Sequence, residues 1–268
     1  MKRIFKALVL SLFTCLSLCS CSRFLLKMLE RYREEHKYDT PAEAYYRTKE
    51  LSLENPYHSD ADGLLYYLQS YCRGSNIEAN KEKYGEKFFL AFVQKDCVAC
   101  DERYEAFETL EKEWNKGSFE GLDREFRLYT IFVDSVDKDG KNLFEPFYSS
   151  AAFMNLIEDA VSHMNGNRSH HPYRENTNIE QYDRDLENVL DFEQFTTPTT
   201  FLFDLTTDNP ADWTSAYGVR EALFSFSGKN GTDKYAMART LRNAWTNDWG
   251  NDGTLGVDNE FSLYYWQN

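Results

Sequence analysis

Cys97 and Cys100, two residues apart, are the side chains in this sequence best suited to covalent chemistry. They sit in the stretch Phe88 to Trp114, FFLAFVQKDCVACDERYEAFETLEKEW. The apolar run Phe88 to Val93 reads as a buried strand and Gln94-Lys95-Asp96 as a turn. Cys100, Tyr104, Phe107, Leu110 and Trp114 then fall near helical spacing, with Asp101, Glu102, Glu105 and Glu108 between them. The cysteines therefore mark a strand-to-helix junction. On a helix's first turn this spacing lets both sulfurs lie on one side. There they can close a small disulfide or present a thiolate to the helix N-terminus, whose open N–H groups and dipole stabilise negative charge. A zinc site would need two further ligands at similar spacing, and the sequence has no second CxxC or paired Cys/His motif. The strand-then-helix context favours a thiol redox pair over an inert bridge.

Other candidates are weaker. Cys72 falls on the apolar face of a helix with Leu64, Leu65, Leu68 and Tyr71, and reads as a buried, inert thiol. His163 precedes, and His170 and His171 lie within, a polar stretch without the order that would fix ligand geometry, so they read as solvated loop histidines. No metal and no other cofactor is expected.

The elements that must position the cysteines follow from the chain in order. Ser22 to Lys37 reads as an amphipathic helix with Phe24, Leu25, Met28, Leu29 and Tyr32 on one face. Thr40-Pro41-Ala42-Glu43 is a capping box with Pro at the first helical position, predicting a helix to about Leu53. Ser59 or Asp60 caps the next helix. After the central stretch, Phe126 to Val133 reads as a second buried strand ending in Asp134-Ser135-Val136-Asp137, and Phe147 to Met164 as one helix. Helix, strand, helix, strand, helix implies parallel strands joined by crossovers. Asn165 to Tyr182 is polar and reads as an exposed insertion. Phe195-Thr196-Thr197-Pro198 leads into an apolar strand, Phe201 to Asp204, its proline either capping an edge or sitting in a cis turn. Tyr217 to Val219 and Ala222 to Phe226 supply an antiparallel partner, and a helix through Tyr235, Leu241 and Trp245 follows. The Gly/Asp-rich tail 247–268 closes with aromatics.

The chain's 268 residues carry a net charge of −14, which argues against nucleic-acid binding and against adhesion to anionic lipid. Residues 1–20 are set apart: Lys2, Arg3 and Lys6 precede an apolar run, Ala7 to Leu18, too short for an ordinary membrane span. This is read as a secretion signal, and without it the charge becomes −17. The run ends Leu18-Cys19-Ser20-Cys21, which resembles a bacterial lipobox. The resemblance implies export and lipid anchoring at Cys21, on the periplasmic or cell-surface side of the cell membrane or outer membrane. Outside the cytoplasm disulfides persist.

The strand-to-helix CxxC, the strand ending in acids and the late Thr-Pro before another strand and a terminal helix together resemble the thioredoxin-like family. The resemblance runs from about Asp60 to Trp245. It implies an α/β fold: a central mixed sheet flanked by helices, here with an N-terminal helical extension (21–59), a domain at 60–246, an enlarged connection at 165–195 and an aromatic tail. It implies that Cys97 and Cys100 pair with each other, that Pro198 is cis beside the disulfide, and that Thr197 and Pro198 hold an extended substrate. Cys97 would attack and Cys100 resolve. Partners would be thiols or disulfides of exported proteins and a second redox protein. This chain differs from the family pattern in Asp96 before the first cysteine, Val98-Ala99 between them, and Ala91 where a buried acid often sits. Asp96, Asp101 and Glu102 oppose a thiolate, which argues against a strong oxidase. The competing expectation is a surface lipoprotein that uses such a scaffold for binding, with the disulfide as a staple.

Overall fold

Phe88 to Val93 is an unbroken run of six buried apolar positions in one strand, β1 (Lys87–Val93). A strand buried on both faces needs such an unbroken apolar sequence, because neither face can carry a polar residue to water. Its neighbours are β2 (Leu128–Phe132), parallel to it, and β3 (Thr199–Asp204), antiparallel. β4 (Val219–Phe224) pairs antiparallel with β3, giving the order β2-β1-β3-β4. The molecule, a computed structural model, describes residues 40–54, 59–75, 78–117, 125–166, 179–206, 215–224 and 234–246. The expected signal region, Cys21, the helix expected over 22–37, His170, His171 and the 247–268 tail lie outside the described residues. Among the described residues no helix is long and apolar enough to cross a membrane.

The chain divides into two compact units, 1–44 and 45–268. In the first, Thr40 caps the helix that Pro41 opens, its hydroxyl accepting from Glu43 N–H at 3.0 Å. That helix, α1 (Pro41–Arg47), is shorter than the capping box suggested. In the second unit the chain turns extended after Thr48 and lies along β2: Leu51 N–H donates to Thr130 O at 2.8 Å and Thr130 N–H to Lys49 O at 3.0 Å. The backbone donors that would have continued a helix are spent on covering a sheet edge.

Helices flank both faces of the sheet. Phe89 points to the side of α4 (Val98–Asn115) and α8 (Lys234–Thr246), against Phe107 and Trp245, with ring centroids 5.7 and 5.5 Å away. Phe92 points to the other side, where α5 (Phe144–Tyr148) and α6 (Ala151–Gly166) pack. On that side α2 (Asp60–Cys72) buries Leu64, Leu65 and Leu68, while α3 (Glu78–Tyr84) leads into β1. The single helix expected over 147–164 is two, broken at Ser149-Ser150, where the Ser150 hydroxyl accepts from Phe153 N–H. The stretch expected to be an insertion contains α7 (Ile179–Asn188), which buries Asp185 and Leu186; Val189, just after it, is buried too. Cys72 is exposed, not buried: it is the last residue of α2, past the buried positions of that helix, which end at Ser70.

At the N-terminal end of β1 a buried carboxylate holds three strands together. Asp204 is 2% exposed. Its Oδ2 meets Lys87 Nζ at 2.8 Å and also the Arg220 guanidinium, while Oδ1 accepts from Thr206 N–H and hydroxyl. Burial alone raises its pKa, but the charges of Lys87 and Arg220 and the donated hydrogen bonds outweigh it and hold the carboxyl below its usual range. A depressed folded-state pKa adds stability that is present above the unfolded pKa, about 4, and is lost as pH falls through the folded value. Asp204→Asn should therefore cost roughly 3 kcal/mol near neutrality. Its denaturation midpoint should also fall less steeply than wild type as the pH is lowered below about 4. Parallel acid profiles for the two proteins would contradict this role.

Candidate functional site

The site is built where β1 ends. The backbone turns through Gln94-Lys95-Asp96, with Asp96 at φ +56°, a left-handed conformation that Asp tolerates better than most residues. Lys95 N–H donates to Asp134 Oδ2 at 3.1 Å, tying the turn to the acidic end of β2. Cys97 is extended and is the N-cap of α4. Its carbonyl accepts from Cys100 N–H and Asp101 N–H, both at 3.0 Å, and its sulfur lies 3.1 Å from Cys100 N. The sulfur thus sits among the N–H groups of a helix start, where developing negative charge on it meets donors and the positive end of the dipole.

Cys97 and Cys100 are disulfide-bonded, with Cα atoms 5.1 Å apart. Their exposures differ. Cys97 is half-buried; Cys100, three positions on and about one turn along the helix, is 2% exposed. Val98 between them is 73% exposed, so solvent reaches the bridge from the Cys97 side.

Thr197 and Pro198 come to the same place from the other end of the sequence. β3 runs antiparallel to β1, so its start lies beside the end of β1. The Thr197–Pro198 peptide is cis. Thr197 O is 3.8 Å from Cys97 Sγ, and the Thr197 hydroxyl is 3.6 Å from that sulfur and 3.4 Å from Gln94 Oε1. The four residues Cys97, Cys100, Thr197 and Pro198, separated by a hundred positions, are brought together; Cys21 lies outside the described residues.

Two further residues reach this place. Arg103 is 1% exposed, and its Nη1 lies 3.4 Å from Pro198 O, 3.4 Å from Thr200 Oγ1 and 3.5 Å from Leu223 O. Tyr46, fully buried, donates its hydroxyl proton to Cys100 O at 3.0 Å. Burial pushes the Tyr46 phenol well up, against the opposing pull of Arg103, so it remains a donor. The inward face of α4 is therefore Cys100, Arg103, Phe107, Leu110 and Trp114, with Tyr104 on a half-exposed shoulder. A phase one residue earlier on the helix would have found Arg103 as a charge on the core stripe. Tyr46 left no signal, because its partner is a main-chain carbonyl 54 residues away.

An arrangement of this kind can open and re-form a disulfide with one sulfur reachable and the other sheltered. Comparison of the chain with protein-family models, with curated proteins and with solved structures found no match.

Proposed function

We propose that the chain is a membrane-anchored, extracytoplasmic thiol–disulfide oxidoreductase with a thioredoxin-like fold, exchanging disulfides with exported proteins. The observation that carries this reading is the asymmetry of the bridge. The half-exposed Cys97 sulfur sits at a helix N-cap, 3.8 Å from the Thr197 carbonyl, while Cys100 is sheltered behind it.

Starting from the dithiol, Cys97 loses its proton and the thiolate attacks one sulfur of a substrate disulfide. The substrate S–S bond breaks, its other sulfur leaves as thiolate, and a Cys97–substrate disulfide forms. Cys100, as thiolate, then attacks Cys97 Sγ. The mixed disulfide breaks, the second substrate sulfur leaves, and the Cys97–Cys100 bond closes. Two electrons pass to the substrate, and its two thiolates take up the two protons released by the cysteines. The reverse sequence oxidises a substrate dithiol. Continued reduction requires a dithiol donor, in the role of the redox partner protein. In either direction an extended substrate segment would lie along Thr197, whose carbonyl faces the reacting sulfur. Reduction of insulin's disulfides and refolding of a scrambled disulfide protein test the activity. Turnover no faster than an equal concentration of free dithiol would leave the disulfide as a staple on a binding scaffold.

The anchor is proposed on sequence alone, from the basic and apolar start and Leu18-Cys19-Ser20-Cys21. The mature protein should partition almost wholly with membranes, and Cys21→Ala should release it or block its processing. An unmodified Cys21 on soluble wild-type protein, seen by mass spectrometry, would refute the anchor.

A further inference from the structure

We infer that Arg103 is a positioning residue that holds the Thr197–Pro198 segment at the distance from Cys97 which an extended substrate needs. The inference rests on the proposed exchange activity for its kinetic readout, though not for its structural one.

Arginine is almost never fully buried unless its polar head is used. Here one nitrogen of the head reaches two neighbouring strands at once. From α4, the helix that carries both cysteines, Arg103 Nη1 reaches Pro198 O at the start of the β3 segment, Thr200 Oγ1 within β3, and Leu223 O in β4. One nitrogen within 3.5 Å of three acceptors cannot make three short, straight bonds with its two protons, so it acts as a shared tether. Pro198 has no N–H to give to the sheet, so its side of the segment has fewer backbone ties than an ordinary strand start. The Thr199 hydroxyl donating to Thr196 O at 2.7 Å closes the turn locally but fastens it to nothing on α4. The Arg103 contact to the Pro198 carbonyl does fasten it. It runs from the residue three positions past Cys100 to the residue beside the carbonyl that faces Cys97 Sγ. A carbonyl misplaced by about 1 Å beside a reacting sulfur is enough to cost one to two orders of magnitude in rate.

The test uses the full chain with Arg103→Met, which keeps length and loses the donors, and Arg103→Lys, which keeps one charged donor. Reduced protein is reacted with a cystine-bridged peptide and, separately, with iodoacetamide, both above the pH at which Cys97 titrates. All proteins are then fully thiolate, and any effect of the Arg103 charge on ionisation drops out. Arg103→Met should slow the peptide reaction about tenfold or more and alter alkylation less than about twofold, and Arg103→Lys should restore most of the peptide rate. Equal slowing of both reactions, or of neither, overturns the inference. Amide hydrogen exchange of the oxidised proteins gives a readout that needs no activity. Exchange at Thr199 and Thr200 should speed at least about tenfold in Arg103→Met while β2 is unchanged. Unchanged exchange there also overturns it. Failure of the wild-type protein to react with the peptide would instead strike the exchange reading, leaving the tether to be decided by exchange alone.

Discussion

Cys100→Ser, expressed in cells that export it, should accumulate covalent adducts with exported proteins that dissolve on reduction, whereas Cys97→Ser should accumulate few or none. The half-exposed Cys97 sulfur at the helix start is the one a substrate disulfide can reach, and the 2% exposed Cys100 can meet only a sulfur already attached to Cys97. Without Cys100 the first exchange proceeds and the second does not, so the mixed disulfide persists. Without Cys97 the remaining thiol lies under the turn and below Tyr46, which holds its carbonyl. Purified, each variant should lose exchange activity by at least about a thousandfold, because nucleophile and resolving thiol act as a unit. Non-reducing gels followed by mass spectrometry of the adducts make the comparison. Adducts on Cys97→Ser equal to those on Cys100→Ser would reverse the assignment of roles.

Phe92→Ala should have the largest effect on stability. Phe92 is fully buried near the end of β1, and its ring lies 5.3 to 6.1 Å from those of Phe195, Phe153, Phe144 and Phe201. Removing it leaves a ring-sized hole in a cluster of stiff aromatics that cannot collapse to fill it, at a cost of about 3–5 kcal/mol. A domain of this kind has only about 5–15 kcal/mol to lose. Phe195 lies two residues before Thr197, so the same substitution should also loosen the segment facing Cys97. Phe92→Leu, which keeps much of the volume, should cost less than half as much. Urea titration of the three proteins measures both differences. A loss under about 1 kcal/mol for Phe92→Ala would mean that the cluster is not the core of this layer.

Much of the α/β frame was readable because its signals are local. Phe88–Val93, Phe126–Val133 and Phe201–Asp204 are apolar runs of strand length between turn residues, and β1, β2 and β3 lie within a few residues of them. The helix after Cys97 and the pairing of β4 with β3 were readable in the same way. What sequence missed was decided elsewhere in the fold. The 179–188 helix was hidden by its polar composition, although Ile179, Tyr182, Leu186 and Val189 recur at helical spacing along it. The break at Ser149-Ser150 turns on a single hydroxyl cap inside an otherwise continuous helical pattern. Residues 48–53 leave the helix because β2 offers them a better use for their backbone groups. Cys72 keeps the apolar period of α2 but falls on its last residue, past the positions that the fold buries. At the site, the two cysteines and Thr197-Pro198 were legible as residue types. Arg103 was hidden by one residue of helical phase, and Tyr46 by the length of chain between it and the carbonyl it serves.

The claim that Cys97 and Cys100 are a working redox pair is tested most directly by single-turnover kinetics. Reduced wild-type protein is mixed with a cystine-bridged peptide, and the release of peptide thiols is timed against the closing of the Cys97–Cys100 bond. Two peptide thiols should be released for each bond closed, at a rate at least about a hundredfold above that of free dithiol at the same concentration. A rate equal to that of free dithiol, or a Cys97–Cys100 bond that closes without releasing peptide thiols, would contradict that claim.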